Sequence, residues 1–354
     1  MACNPALRVG VVLPETGEAA AYGASIRSGI TLAFSEAPMA APRGLEVLFR
    51  DSGSDPARAA SAAEGLYEAG AVAVIGGVTS AEARVMIPVA DRFHRVLISP
   101  SASAPELAGA SPYFFRVYPS DQLEGVKAAQ FLALERKCRT VLVLREDNAY
   151  TRGLLPVFVR ELASQGASLA GSLRVDEKGW QSQLDGISSA QAPDGVYLCG
   201  YGDAILAGLR ALRTAGFHGT ICTTSAINAS AILQRAGSLA DGVFLPLAGL
   251  DLATPKGPAR EFVARYRAAY NLPPDVYAAH GYDAALAVMS ALAGTEEPSG
   301  ETVRQRLRGL GDKLGVTGRL GFDEDGTIVQ PLGMYCIRGG RLEAAGQSRE
   351  RGER

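Results

Sequence analysis

Histidine, tryptophan and cysteine are among the scarce residues of this 354-residue chain, which holds three, one and five of them. His94, His218 and His280 are far apart, and none lies in an H-E-x-x-H context. No histidine neighbours a candidate nucleophile, so Ser/His and Cys/His catalysis lack a base. Cys3, Cys138, Cys199, Cys222 and Cys336 include no C-x-x-C pair, which removes zinc and thioredoxin-like readings. The last four sit in or beside apolar runs and read as small buried hydrophobes. No G-x-G-x-x-G follows the first strand, and no G-x-x-x-x-G-K-[ST] or G-x-S-x-G occurs. That argues against a nucleotide enzyme and against a hydrolase elbow. Glu146–Asp147 and Glu296–Glu297 fall in loops or at helix starts and read as solvated caps. The net charge is −2 with both signs interspersed, which leaves no basic face for nucleic acid. No apolar run reaches the roughly 18 residues needed to span a membrane. The expectation is a protein with no catalytic residues, no metal and no cofactor.

What is present is an ordinary globular composition, 47% apolar and 20% charged. The length is too great for one core and predicts two domains. Short valine-rich runs alternate with amphipathic segments. "LRVGVVLP" is followed by a helical segment over 23–37, then "LEVLFRD", a helix over 56–68, "VAVIGG", a helix starting near Ser80, and "VLISP". After "YFFRVYPSD" the series restarts, with Asp121 read as the N-cap of a helix running to about residue 136. "TVLVLRED", a helix over 151–164, "SLAGSLRV", a helix over 181–190, "GVYLCGY", a helix over 203–214 and "GTICTTS" follow. This pattern predicts an α/β fold of two doubly wound parallel sheets in tandem, near 7–119 and 120–246. Helical segments at about 256–270, 275–294 and 300–309 are too few for a third domain and are expected to return to cover the first. The last stretch, from "TGRLGFDEDG" to "RLEAA", reads as strands with glycine turns.

Ligands of doubly wound sheets bind outside the carboxyl ends of the strands. Those ends carry Tyr22, then Thr79 and Ser80, then Ser101, Ala102 and Ser103 in "VLISPSASAPEL". In the second unit they carry Tyr150, Tyr201, and Thr224 with Ser225. Ser80 reads either as a plain N-cap or as part of an anion site. The first N–H groups of its helix carry partial positive charge and suit a carboxylate without any lysine or arginine. Ser99 and Pro100 read as structural.

"LPETGEAAAYGASIRSGITLAF", "LFRDSGSDPARAASAAEGL", "VAVIGGVTSAEA", "VLISPSASAPELA", "YFFRVYPSD", "DNAYTRGLLPVF" and "YDAALAVMSAL" together resemble the branched-chain amino acid group of type I periplasmic solute-binding proteins. The likeness runs from about residue 7 to 345. It implies two lobes joined by three crossovers, near 119–121, 247–250 and 322–330. The lobes would be 7–119 with 249–328 and 120–248 with 329–345, and 346–354 would be a disordered tail. It implies a carboxylate site at Ser80 and the Ser101–Ser103 loop, with Tyr22, Tyr150, Tyr201 and, on a looser match, Tyr277 lining the pocket. The family's acidic partner of the ligand ammonium falls at Thr224, where this chain has no acid. Either Asp203 or another acid substitutes, or the ligand is an amine-free aromatic or aliphatic carboxylate.

The function the resemblance implies is an extracytoplasmic binder of an amino acid or similar small carboxylate. It would be a monomer that closes by a hinge and feeds the permease subunits of an ABC importer in the membrane. No secretory leader precedes the first strand. The chain is then either cytoplasmic or a mature form from which a leader has been removed. In the second case Cys3 would carry a lipid, and the protein would be periplasmic or held at the cell surface. The rival reading is a soluble ligand sensor of the same fold acting on a regulatory partner.

Overall fold

Strand β1 (Leu7–Leu13) buries six of its seven residues, as a strand covered on both faces must. A computed structural model describes residues 6–36, 44–184, 187, 192–248, 255–311 and 313–345. The chain divides into two compact units, Met1–Ser120 with Leu250–Gln330 and Asp121–Gly249 with Pro331–Arg354. The first unit is built from β1, α1 (Ala20–Glu36), β2 (Leu45–Asp51), α2 (Pro56–Glu68), β3 (Ala71–Gly76), α3 (Ser80–Phe93), β4 (Val96–Ser99) and β5 (Phe114–Arg116). Its strands are all parallel, in the order β2-β1-β3-β4-β5. Helix starts follow local chemistry. Asp55 accepts from the Arg58 N–H ahead of α2, and Pro56 occupies the first turn, where its missing N–H is no loss.

The second unit opens with α4 (Asp121–Gln130), which continues as a single wide π turn over Phe131–Glu135. It continues with β6 (Thr140–Arg145), α5 (Ala149–Ser164), β7 (Ser168–Arg174), β8 (Gly195–Cys199), α6 (Gly202–Thr214), β9 (Thr220–Thr223), α7 (Ser230–Ala236) and β10 (Phe244–Ala248). After α8 (Pro258–Tyr270), α9 (Val276–Leu292) and α10 (Gly300–Arg308), the hairpin β11 (Leu332–Arg338) and β12 (Arg341–Ala344) completes its sheet. The order is β12-β11-β10-β9-β8-β6-β7, with only the β10–β11 and β11–β12 pairs antiparallel. Without that hairpin the order 7-6-8-9-10 has the form of the first unit's 2-1-3-4-5, so corresponding strand ends carry corresponding loops.

Helices α8 to α10 belong to the first unit. Fourteen of the seventeen residues of α9 are buried, which requires a helix apolar on all sides. It lies against α1 through glycine. A Cβ at Gly29 would come within 1.9 Å of the Ala278 carbonyl oxygen, and one at Gly281 within 2.5 Å of that of Ile26. Buried Arg116 fixes the end of β5, donating to Thr327 Oγ1 at 2.9 Å and to the Ala104 carbonyl at 2.8 Å.

Three local expectations need correction. The segment expected as a helix over 181–190 forms a 3-10 turn at Trp180–Leu184, and 185–186 and 188–190 lie outside the described residues. The stretch around and after "TGRLGF" makes only single bridges before the hairpin, Leu314↔Arg319, Phe322↔Ile328 and Arg116↔Thr327. Carboxylates hold its turns instead: Asp283 accepts from the N–H groups of Val316 and Thr317, and Asp323 from those of Asp325 and Thr327. Asp121 is the first residue of α4 rather than the residue before it.

Candidate functional site

In the first unit the candidate residues follow β1, β3 and β4. Thr79, not Ser80, caps α3: Thr79 Oγ1 accepts from the Glu82 N–H at 3.2 Å, and the Thr79 N–H donates to Glu82 Oε2 at 3.0 Å. Ser52 donates to the other oxygen of Glu82 at 2.6 Å. Burial pushes the Glu82 carboxyl up, against the pull of these bonds. Ser80 is therefore the first residue of the helix. Its Oγ accepts from the Ala104 N–H at 3.2 Å, which leaves its proton to give. The N–H groups of Ser80 and Ala81 make no hydrogen bond among the described residues, as expected in a first turn.

The loop after β4 is tied to the one after β3. Ser99 Oγ donates to the Gly77 carbonyl at 2.7 Å and accepts from the N–H groups of Ser101 and Ala102 at 3.3 and 2.9 Å. Ser101 Oγ donates to the Val78 carbonyl at 2.7 Å. Two expected donors are thus already engaged: the Ser101 hydroxyl proton is spent, and Ala102 is buried with its N–H on Ser99. Their part is to hold the loop. Ser103, 5% exposed, keeps both its N–H and its hydroxyl without a partner among the described residues.

Tyr22 and Tyr277, brought together by the α1–α9 contact, meet edge to face at 4.9 Å. Tyr118, just past β5, stacks parallel to Tyr277 at 6.2 Å and lies 4.7 Å from the ring of His280. Sequence reasoning missed Tyr118, although it follows a strand end like the others.

In the second unit Tyr150 and Tyr201 stack at 5.6 Å with an interplanar angle of 16°. Asn148 caps the helix that carries Tyr150, and the Tyr201 N–H is held by Glu146 Oε2 at 2.9 Å. Thr224 is fully buried, with its N–H on the Leu198 carbonyl and its hydroxyl on that of Gly200 at 3.3 Å; it has no donor left for a ligand. Ser225 donates from both its N–H and its Oγ, at 2.8 and 2.9 Å, to the two oxygens of Glu124. Burial pushes Glu124 up to about 7, against the pull of these bonds. Asp203 does not supply the acid expected near Thr224: it is an exposed partner of Arg235 at 2.7 Å. Glu124 stands there instead, and the sequence reading did not single it out. Cys3 and the tail over 346–354 lie outside the described residues. Among the described residues no group of three side chains is placed to hold a metal ion, and no helix is long and apolar enough to cross a membrane.

These arrangements offer neutral donors at a helix start in one unit and stacked tyrosines with a carboxylate in the other. They hold no nucleophile–base pair. A family model described as periplasmic binding protein matches residues 6–341. The leucine-, isoleucine-, valine-, threonine- and alanine-binding protein of Pseudomonas aeruginosa is 25% identical over 328 residues, 91% of this chain and 87% of that protein. The branched-chain amino acid transporter substrate-binding protein LivJ of Streptococcus pneumoniae, solved with isoleucine, superposes with a TM-score of 0.88 at 23% identity, covering 96% of this chain and 98% of the other. An ABC-transporter solute-binding protein of R. palustris solved with benzoate gives 0.86 at 21% identity, with 96% of each chain covered. The chain belongs to the periplasmic binding protein family, in its type I branched-chain amino acid group, and is an extracytoplasmic solute-binding protein rather than an enzyme.

Proposed function

We propose that this protein captures an amino acid with an apolar side chain, or a closely similar small carboxylate, and delivers it as a monomer to the permease of an ABC importer. The observation that carries the reading is the set of unspent donors at the start of α3. The N–H groups of Ser80 and Ala81, the Ser80 hydroxyl, and the N–H and hydroxyl of Ser103 are all available. Such donors hold a carboxylate through charge-assisted bonds and the field of the helix start. Tyr22, Tyr118 and Tyr277 flank the apolar part from the first unit. Tyr150 and Tyr201 meet it from the second as the protein closes by a hinge at the three passages of the chain. Apolar burial together with these bonds suits micromolar affinity, about −8 kcal/mol.

A thermal-shift panel tests this. Leucine, isoleucine, valine, alanine and threonine are compared with their amine-free counterparts and with benzoate. At least one carboxylate is expected to raise the melting temperature, and Ser103→Ala should reduce that rise. A panel in which no carboxylate stabilises the protein would sink the proposal.

A further inference from the structure

Helix α3 offers its first turn to two anions. Its start is the carboxylate site proposed above, where the N–H groups of Ser80 and Ala81 are unspent. Glu82, 1% exposed, already places a carboxyl group at the same helix end. One of its oxygens takes the Thr79 N–H, the group directly before that of Ser80, at 3.0 Å. The other takes the hydroxyl of Ser52, itself fully buried, at 2.6 Å. The N–H groups of a first turn leave the helix end side by side, so a carboxylate on Ser80 and Ala81 becomes a close neighbour of Glu82. When two carboxylates share a site, one of them gains affinity for a proton.

Glu82 has no cation to offset such a neighbour. Among the described residues its side chain bonds neutral donors alone, and burial already pushes its carboxyl up. The charges on the elements around α3 are engaged elsewhere. Asp51, beside Ser52, holds the N–H groups of Glu15, Thr16 and Gly53 and pairs with Arg58 of α2 at 3.5 Å. Asp55 caps α2, Glu64 of α2 pairs with Arg92, and Glu68 is exposed. Tyr67 gives its hydroxyl to the Val96 carbonyl, and Glu106 of the turn after β4 pairs with Arg84. Strands β3 and β4 carry no charged residue.

We propose that Glu82 governs how tightly this helix start holds a carboxylate, by taking up a proton as the ligand docks. The inference rests on the carboxylate site read above. The proton comes from solvent and lands on the oxygen facing Ser52, whose hydroxyl can accept from the acid as well as donate to the anion. The Thr79 N–H serves the other oxygen in both forms. Glu82 is a positioning residue: it leaves the ligand to Ser80, Ala81 and Ser103 and sets the field in which their donors act. The protein then binds carboxylates more tightly in mild acid than in mild alkali.

Calorimetry on the full chain tests this with leucine, isoleucine, valine, alanine, threonine and benzoate, each between pH 8 and 5.5, where their carboxylates stay ionised. In the unmodified protein, affinity is expected to rise as the pH falls. Binding should take up protons, read from the dependence of the heat on the ionisation enthalpy of the buffer. Glu82→Gln keeps the capping box, since an amide also accepts from the Thr79 N–H. It is expected to bind on the order of tenfold more tightly than the unmodified protein at pH 8, with the pH slope and the proton uptake lost. Ser52→Ala removes a donor that favours the ionised form, so the pH at which affinity rises should move upward. That readout stands even if Glu82→Gln folds poorly. Affinity independent of pH, proton uptake that persists in Glu82→Gln, or an unmoved profile in Ser52→Ala would overturn the inference and leave the carboxylate site standing. Binding of none of these carboxylates would overturn both.

Discussion

His280 lies fully buried on α9 against Tyr118, and burial lowers its pKa to about 3, opposed by a weaker contact with the Val117 backbone. The native protein therefore keeps this ring neutral, whereas the unfolded chain protonates it near 6.5. Between those values the unfolded state binds the extra proton, so this group lowers stability as pH falls. Asp283, on the same helix, acts with the opposite sign. Burial raises it from 3.8 to about 6, the native state holds the proton, and its effect favours the fold in acid. The two windows overlap and mask one another. His280→Leu should expose the Asp283 slope: relative to wild type the variant gains up to about 1.4 kcal/mol per pH unit as pH is lowered from 6 to 4. Urea midpoints at a series of pH values check this. At this scale the candidate site was legible only in part. Ser80 and Ser103 follow from the strand-end rule alone. Glu124 does not, because 101 residues separate it from Ser225 and "SDQLEG" reads as the solvated first turn of a helix. Burial of that turn is a tertiary fact.

The contact of α1 with α9 is the element-scale feature that sets Tyr22 against Tyr277, two of the proposed ligand residues. Gly29→Ala forces a methyl group into the Ala278 carbonyl. The expected loss is about 1–3 kcal/mol, measured as a lower urea midpoint, accompanied by weaker ligand binding as the tyrosine pair separates. Alternation of apolar strands and amphipathic helices was enough to find the parallel sheets and nearly every helix within a few residues. It failed where hydrogen-bonding side chains replace regular structure, as around Asp283 and Asp323. It also could not foresee the widened turn that ends α4, because Phe131–Glu135 continue the same apolar periodicity.

For the molecule as a whole, the proposed function requires that a solute held by groups from both units stabilise both. Trp180, the chain's one tryptophan, is buried in the second unit, so its fluorescence follows that unit alone, while far-ultraviolet circular dichroism follows the two together. At leucine concentrations of about 100 times Kd, the stabilisation should be about 2.7 kcal/mol, with both thermal midpoints rising. A rise confined to one probe would mean that one unit does the gripping. The interleaving of the two units along the chain bears on manufacture as much as on binding. Helix α1 is made early but packs on α9, and β10 finds its antiparallel neighbour only in β11. A growing polypeptide can therefore finish the first unit only once α8 to α10 are made, and the second only once β11 and β12 are. Until then α1 and β10 lack the partners they pack on in the finished protein.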